Sequence, residues 1–337
     1  MPPALQRNLL TDIGGISVGN ADDATICSGV TVVLPPPGST AAVDIRGGGT
    51  GTQETDALSL DGSIEEAHAI VLSGGSAFGL AAAAGVRDWL ASKGIGYPVR
   101  EARVPIVAEA ILFDLLNGGQ KDGLSEAYVR LARQACLTAS QEGFALGSTG
   151  AGYGAATANL RGGLGSASTD LANGLKVAAL VAANPVGTVT MGTTPHFWAH
   201  LLERDGEFGG LGPPPAWGGP PSPPPLKIRT GESTTIAVVA TNAILDKRAA
   251  RRLAIVAQTG LARAIHPVHT PLDGDVVFAL ATNQVALNEP LGDIAILGSA
   301  AADALARAIA RAIYAAAPAP SGWIGPPAYA ERFPNPA

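Results

Sequence analysis

The sequence predicts a layered α/β protein, and three observations lead there. Short apolar runs rich in β-branched residues alternate with Ala-rich stretches of helical period, the pattern of strands covered by helices. The alternation resumes after a Pro- and Gly-rich connection at 205–232, so both halves belong to one body of residues 1–337. The 337 residues are 47% hydrophobic but only 5% aromatic and 15% charged, with 43 Gly, which makes the core one of small aliphatic side chains and excludes disorder throughout.

In chain order, Val30 to Leu34, Ala41 to Ile45 and Ala69 to Leu72 read as strands between glycine turns. The last feeds Ser73-Gly74-Gly75-Ser76 and then a helix from Ala81 to Leu90. Ser125 to Gln141 reads as a second helix, with Ser125 as N-cap and Glu126 in its first turn. The glycine-dense region from Gly147 to Ser168 reads as loops, and Lys176 to Ala183 as a strand. Residues 205–232 hold Pro213-Pro214-Pro215 and Pro223-Pro224-Pro225, too much proline for a helix or an internal strand. This segment is taken as an exposed connection. Beyond it come a buried strand over 235–241, a helix from Asp246, its cap, to Ala262, a strand from Val276 to Ala281, and a long helix from Gly298 to Ala316.

Several classes of function are disfavoured. A net charge of -6 is the wrong sign for a nucleic-acid surface, and Lys247-Arg248 with Arg251-Arg252 reads as the polar face of a helix. No run of 18 apolar residues predicts a membrane span. The first residues show no apolar signal region, so the expected location is cytoplasmic. Cys27 and Cys136 lack metal or redox spacing and read as reduced thiols. His196 and His200 are four apart, but no third ligand stands near them in the sequence. Gly47-Gly48-Gly49 and Gly150-Ala151-Gly152-Tyr153-Gly154 lack the Lys-Ser/Thr ending of a phosphate loop. These glycines are expected to let backbone approach a substrate or pack beneath it. Ser76 resembles a nucleophile elbow, yet Phe78 stands where a glycine is required. Neither metal nor organic cofactor is expected.

The chemistry points to Ser233-Thr234-Thr235-Ile236, where the connection enters the buried strand. A threonine hydroxyl is a poor nucleophile at neutral pH, whereas an α-amine of pKa about 7.7 to 8 can act as its base. Cleavage between Ser233 and Thr234 puts both groups on one residue. The plainer alternative is that the Thr pair simply begins a strand, where β-branched residues are favoured.

A wider set of residues bears on that choice: Asp44-Ile45-Arg46-Gly47-Gly48-Gly49, Thr52-Gln53-Glu54-Thr55-Asp56, Ser73 to Leu80, Val104-Pro105-Ile106-Val107, Asn184-Pro185-Val186-Gly187, Thr234-Thr235-Ile236 with Ala240-Thr241-Asn242, and Asp273-Gly274-Asp275. In this order they resemble the DmpA family (peptidase family S58) of N-terminal-nucleophile aminopeptidases, which includes β-peptidyl aminopeptidases and nylon-oligomer hydrolases. The resemblance runs from Leu10 to about Ala312.

It implies a four-layer αββα sandwich that cuts itself into residues 1–233 and 234–337, with Thr234 as nucleophile, Asp273 and Asp275 as orienting acids and Asn184 as oxyanion donor. It also implies peptide, amide or ester substrates and a homo-oligomer, a tetramer of processed units. Read without the family, Leu272-Asp273-Gly274-Asp275 is an ordinary turn into a strand. The chain departs from the family pattern at Ser233, where the nylon-oligomer branch has Asn. It departs again at Asn159 and Phe113, which fall where relatives carry a lysine and a tyrosine. Arg161 is the candidate replacement for the lysine's charge, and Ser76, Phe113, Asn159 and Arg161 are the candidate pocket residues. His266 and His269 are expected to support the acidic pair by hydrogen bonds. Two other activities are compatible with the same features: acyl transfer like that of ornithine acetyltransferases, and a non-catalytic binding protein on this fold.

Overall fold

The structure is a computed structural model and describes residues 7–227 and 233–334. In chain order the strands are β1 (Ser17–Asp23), β2 (Ser28–Leu34), β3 (Thr40–Ile45), β4 (Thr52–Gln53), β5 (Ala69–Ser73), β6 (Tyr97–Val99), β7 (Ala102–Val104), β8 (Val107–Ile111), β9 (Gly163–Asp170), β10 (Lys176–Asn184), β11 (Thr234–Ala243) and β12 (Val276–Val285). The helices are α1 (Ala82–Ser92), α2 (Leu124–Thr138), α3 (Lys247–Ala264), α4 (Pro290–Tyr314) and the short α5 (Tyr329–Arg332).

Two five-stranded sheets form the body, ordered β1-β2-β5-β8-β4 and β3-β12-β11-β10-β9. Side-chain alternation along β11 explains how they stack. Ile236, Val238 and Ala240 meet Ile70, Leu72, Ala108 and Ala110 of the other sheet, while Ala237 and Val239 turn the opposite way, toward Leu253, Ala257 and Leu305 of α3 and α4. A strand covered on both faces has no polar side, which is why its sequence reads as one apolar run. On the first sheet, Val30, Val32, Ala69 and Val71 pack under Val86, Leu90, Tyr128 and Leu131 of α1 and α2. The layers are therefore α, β, β, α, as the resemblance implies.

Several sequence expectations need correction. Helix α2 is not capped by Ser125: it starts at Leu124, and the N-cap is Gly123 at φ 63°. Helix α4 starts eight residues before Gly298, at Pro290, and Asp293 of its first turn accepts the backbone N–H groups of Asn288 and Glu289. The glycine-dense region contains the edge strand β9. Its glycines serve the approach of α4, since a Cβ on Gly165 would stand 1.9 Å from the Ala308 carbonyl oxygen and one on Gly163 2.3 Å from that of Ala312. Lys247 does not belong to a polar face: it is buried, with Nζ on the carbonyls of Gly62 and Ile64.

The connection at 205–232 is less free than its composition suggests, and part of it, 228–232, lies outside the described residues. Phe208 is buried, edge-on to Phe197, Glu207 pairs with the buried Arg307, and Trp217 meets Trp198 edge-on.

Candidate active site

Strand β11 begins at Thr234, directly opposite Asn184, the last residue of β10. The turn before β12 comes alongside, with Ser233 bridged to Asp273. Thr234, Asn184, Asp273 and Asp275, far apart in sequence, thus converge at one end of the second sheet, all at most 3% exposed. The Thr234 hydroxyl lies 2.6 Å from the Ser233 carbonyl oxygen, and the Gly274 N–H donates to that same oxygen at 2.9 Å. Gly274 permits this approach because any Cβ there would stand 2.7 Å from Thr234 Oγ1.

The two carboxylates bracket the threonine by holding its neighbours. Asp275 Oδ1 accepts the Thr235 N–H at 2.8 Å, and Oδ2 lies 2.9 Å from His269 Nδ1. Asp273 Oδ1 accepts the Val186 N–H at 3.1 Å, and Oδ2 takes both the backbone N–H and the hydroxyl of Thr270. Burial, and then the neighbouring Asp275, push the Asp273 carboxyl above the ordinary aspartate range. Below this turn the glycine run packs tightly. Gly47 and Gly49 donate to the carbonyls of Asp275 and Asp273, and a Cβ on Gly47 would lie 2.2 Å from the Asp275 nitrogen. Gly47-Gly48-Gly49 thus supports the acidic turn from beneath.

Asn184 opens into a cavity of about 300 Å³ lined by Phe113, Asn117, Ala156, Asn184, Lys227 and Ile324. Its Oδ1 accepts the Ala156 N–H at 2.9 Å and Lys227 Nζ at 2.9 Å, and its Nδ2 donates to the Phe113 carbonyl. Of the four pocket candidates, Phe113 lines this cavity. Ser76 instead donates its N–H to the Leu112 carbonyl, just before Phe113. Asn159 turns its amide to Thr190 and Gly192. The Arg161 side chain is 1% exposed and bonds the carbonyls of Ala317, Pro318 and Tyr153. Among the described residues the cation at the cavity is Lys227, which the sequence does not single out because it sits in a proline-rich stretch with no motif around it.

His269 contacts the acidic pair, whereas His266 pairs with Thr188 through its backbone and tilts against Trp198. His196 and His200 are spent on the carbonyls of Gly212 and Phe197. Among the described residues no three His, Cys, Asp or Glu side chains gather as a metal ion requires, and no helix is long and apolar enough to cross a membrane. A larger groove, about 740 Å³ between α3 and the start of α4, contains none of the converging side chains.

Comparison with known proteins bears on the family and the fold. Residues 8–322 match the model of "Peptidase family S58". An uncharacterized aminopeptidase of Mycobacterium tuberculosis is 42% identical over 349 residues, covering 97% of this chain and 98% of the relative. A 6-aminohexanoate-oligomer endohydrolase of Kocuria sp. is 27% identical, covering 84% of this chain and 77% of that protein. Among solved structures, a β-aminopeptidase of Burkholderia sp. aligns with a TM-score of 0.67 at 22% identity, covering 98% and 93% of the two chains. The L-aminopeptidase D-Ala-esterase/amidase of Ochrobactrum anthropi, described as a variant of the Ntn hydrolase fold, aligns at 0.69 with 21% identity, covering 97% and 92%. At such identities the structures speak for the fold alone.

Proposed function

The chain belongs to peptidase family S58, and on that premise we propose that it cuts itself between Ser233 and Thr234 and then hydrolyses small peptides or amides with Thr234 as nucleophile. The observation that carries this reading is the shared carbonyl: the oxygen of Ser233 lies 2.6 Å from the Thr234 hydroxyl and accepts the Gly274 N–H. In the first step Thr234 Oγ gives up its proton and bonds to the Ser233 carbonyl carbon, while the Gly274 N–H stabilises the negative charge that develops on the carbonyl oxygen. The Ser233–Thr234 C–N bond then breaks, its nitrogen takes the proton that the hydroxyl gave up, and an ester replaces the peptide bond. Water hydrolyses that ester, leaving a carboxylate on Ser233 and a free amine on Thr234.

In the processed enzyme this amine removes the hydroxyl proton during attack on a substrate amide. Asp275, through the Thr235 N–H, and Asp273, through the turn, keep the new terminus in place. Asn184 acts as an amide donor at the oxyanion, and water releases the acyl group. Substrates enter through the cavity beside Phe113 and Lys227. Its volume of about 300 Å³ suits a short peptide end or a small amide. We also place the processed unit in a homo-oligomer, a reading supported by Tyr97, Val99 and Val104, exposed apolar side chains on the β6-β7 hairpin.

Intact mass under denaturing conditions tests the reading. Wild type should give two chains, 1–233 and 234–337, and Thr234→Ala a single uncut chain. A wild type that stays whole on long incubation, or a cut Thr234→Ala, would overturn it.

A further inference from the structure

Lys227 belongs to the connection, six positions before the proposed cut, yet it reaches the cavity wall. Its backbone N–H donates to the Val186 carbonyl at 2.9 Å, and Val186 in turn donates to Asp273. Its Nζ lies 2.8 Å from the Ala156 carbonyl oxygen, 2.9 Å from Asn184 Oδ1 and 3.3 Å from the Asn184 carbonyl oxygen. These contacts do not depend on the bond between Ser233 and Thr234. None of the partners is Ser233 or Thr234, so a break there removes none of these bonds directly.

We propose that Lys227 is a positioning residue of the processed enzyme, which would make the end of the first chain a working part of the active site. An ammonium on Oδ1 withdraws electron density from the Asn184 amide. This makes Nδ2 a stronger donor and keeps the side chain from swinging across the cavity. It also brings a positive charge to the wall beside which an oxyanion develops, where a fixed cation favours the transition state over the neutral substrate. The effect should therefore fall on kcat rather than on KM. Among the described residues the other cavity-lining side chains are apolar, amide or hydroxyl groups and the buried Asp114, so none of them offers a cation in its place.

This inference rests on the reading of Thr234 as nucleophile, and its test separates the two. Wild type, Lys227→Met, Lys227→Arg and Lys227→Ala are compared for folding by thermal melting and for turnover of an amide substrate per Thr234 N-terminus, counted by intact mass. The expected result is a kcat lower by about tenfold to a hundredfold in Lys227→Met, KM changed less than about threefold, and partial recovery in Lys227→Arg. Added ethylammonium should restore turnover to Lys227→Ala in a saturable way, which a residue needed only for folding would not allow. If Lys227→Met folds but is not cut, the same recovery by Arg and by ethylammonium is read on the rate of cutting. Turnover like wild type in Lys227→Met overturns the proposal. So does a fall in KM at unchanged kcat, which would make Lys227 a plug of the cavity. A loss recovered by neither Arg nor ethylammonium also overturns it. An uncut wild type defeats both readings, whereas a cut wild type indifferent to Lys227 defeats this one alone.

Discussion

At the scale of the residue, Gly274 combines two things that a residue with a side chain could not combine in its place. Its N–H reaches the Ser233 carbonyl at 2.9 Å, and its missing side chain leaves room for the Thr234 hydroxyl. A Cβ would stand 2.7 Å from Thr234 Oγ1 and 2.8 Å from the Gly49 carbonyl oxygen. The second contact is with backbone that itself packs on the acidic turn, so it cannot relax cheaply. Gly274→Ala keeps the N–H but must shift it away from the Ser233 carbonyl to clear these contacts, so in the folded variant self-cleavage should slow by about a hundredfold or more, the usual cost of losing one oxyanion donor. A time course of intact masses measures this directly, and cutting at the wild-type rate would remove Gly274 from the reaction.

At the scale of the element, the segment after α4 runs as a strap along the cavity beside Asn184. Arg161 ties it down through the carbonyls of Ala317 and Pro318 and stacks its guanidinium 4.5 Å over the Trp323 ring. Beyond that anchor Ile324 donates to the Asn117 carbonyl, and Ile324, Gly325 and Pro326 become cavity wall. Arg161→Ala leaves three carbonyl acceptors without their donor, so urea unfolding should show a loss of about 3 kcal/mol. The freed strap should also raise kcat/KM for bulky amides relative to small ones, and an unchanged ratio would mean that the strap does not limit the cavity. The strap illustrates what the sequence could not disclose. Strands β5, β10 and β11 were legible because burial on both faces leaves an apolar run, and Asp246 was legible as a cap because it accepts the Ala249 N–H just ahead of it. Strand β9 was hidden because Gly163 and Gly165 answer to α4, well over a hundred positions away. Within the site, Thr234, Asn184 and the acidic pair could be named through a motif order, whereas Lys227 and the true partners of Arg161 depend on contacts that no local pattern encodes.

At the scale of the whole molecule, the buried carboxyls set how stability responds to pH. Burial drives Glu109, on β8, from its ordinary value up to about 8, and it raises Asp114 and Asp273 as well. A carboxyl raised on folding binds its proton more tightly in the native state than in the unfolded chain. Its contribution is therefore complete below the ordinary value near 4.5 and is lost as pH rises toward 8. Protonated Glu109 suits its site: one oxygen accepts the Ala83 N–H in the first turn of α1, and the other meets the Ser73 hydroxyl, which can pass its own proton to the Gly79 carbonyl. A glutamine reproduces that pattern without titrating. Glu109→Gln, placed in the Thr234→Ala protein so that a single uncut chain unfolds, should thus lose less stability than its parent between pH 5 and pH 8. With a slope that approaches about 1.4 kcal/mol for each pH unit and flattens near the two ends of the range, the parent should fall by about 3.5 kcal/mol more. Urea unfolding at the two pH values decides it: parallel losses in both proteins would mean that Glu109 is already ionised in the folded state and that another group carries the dependence.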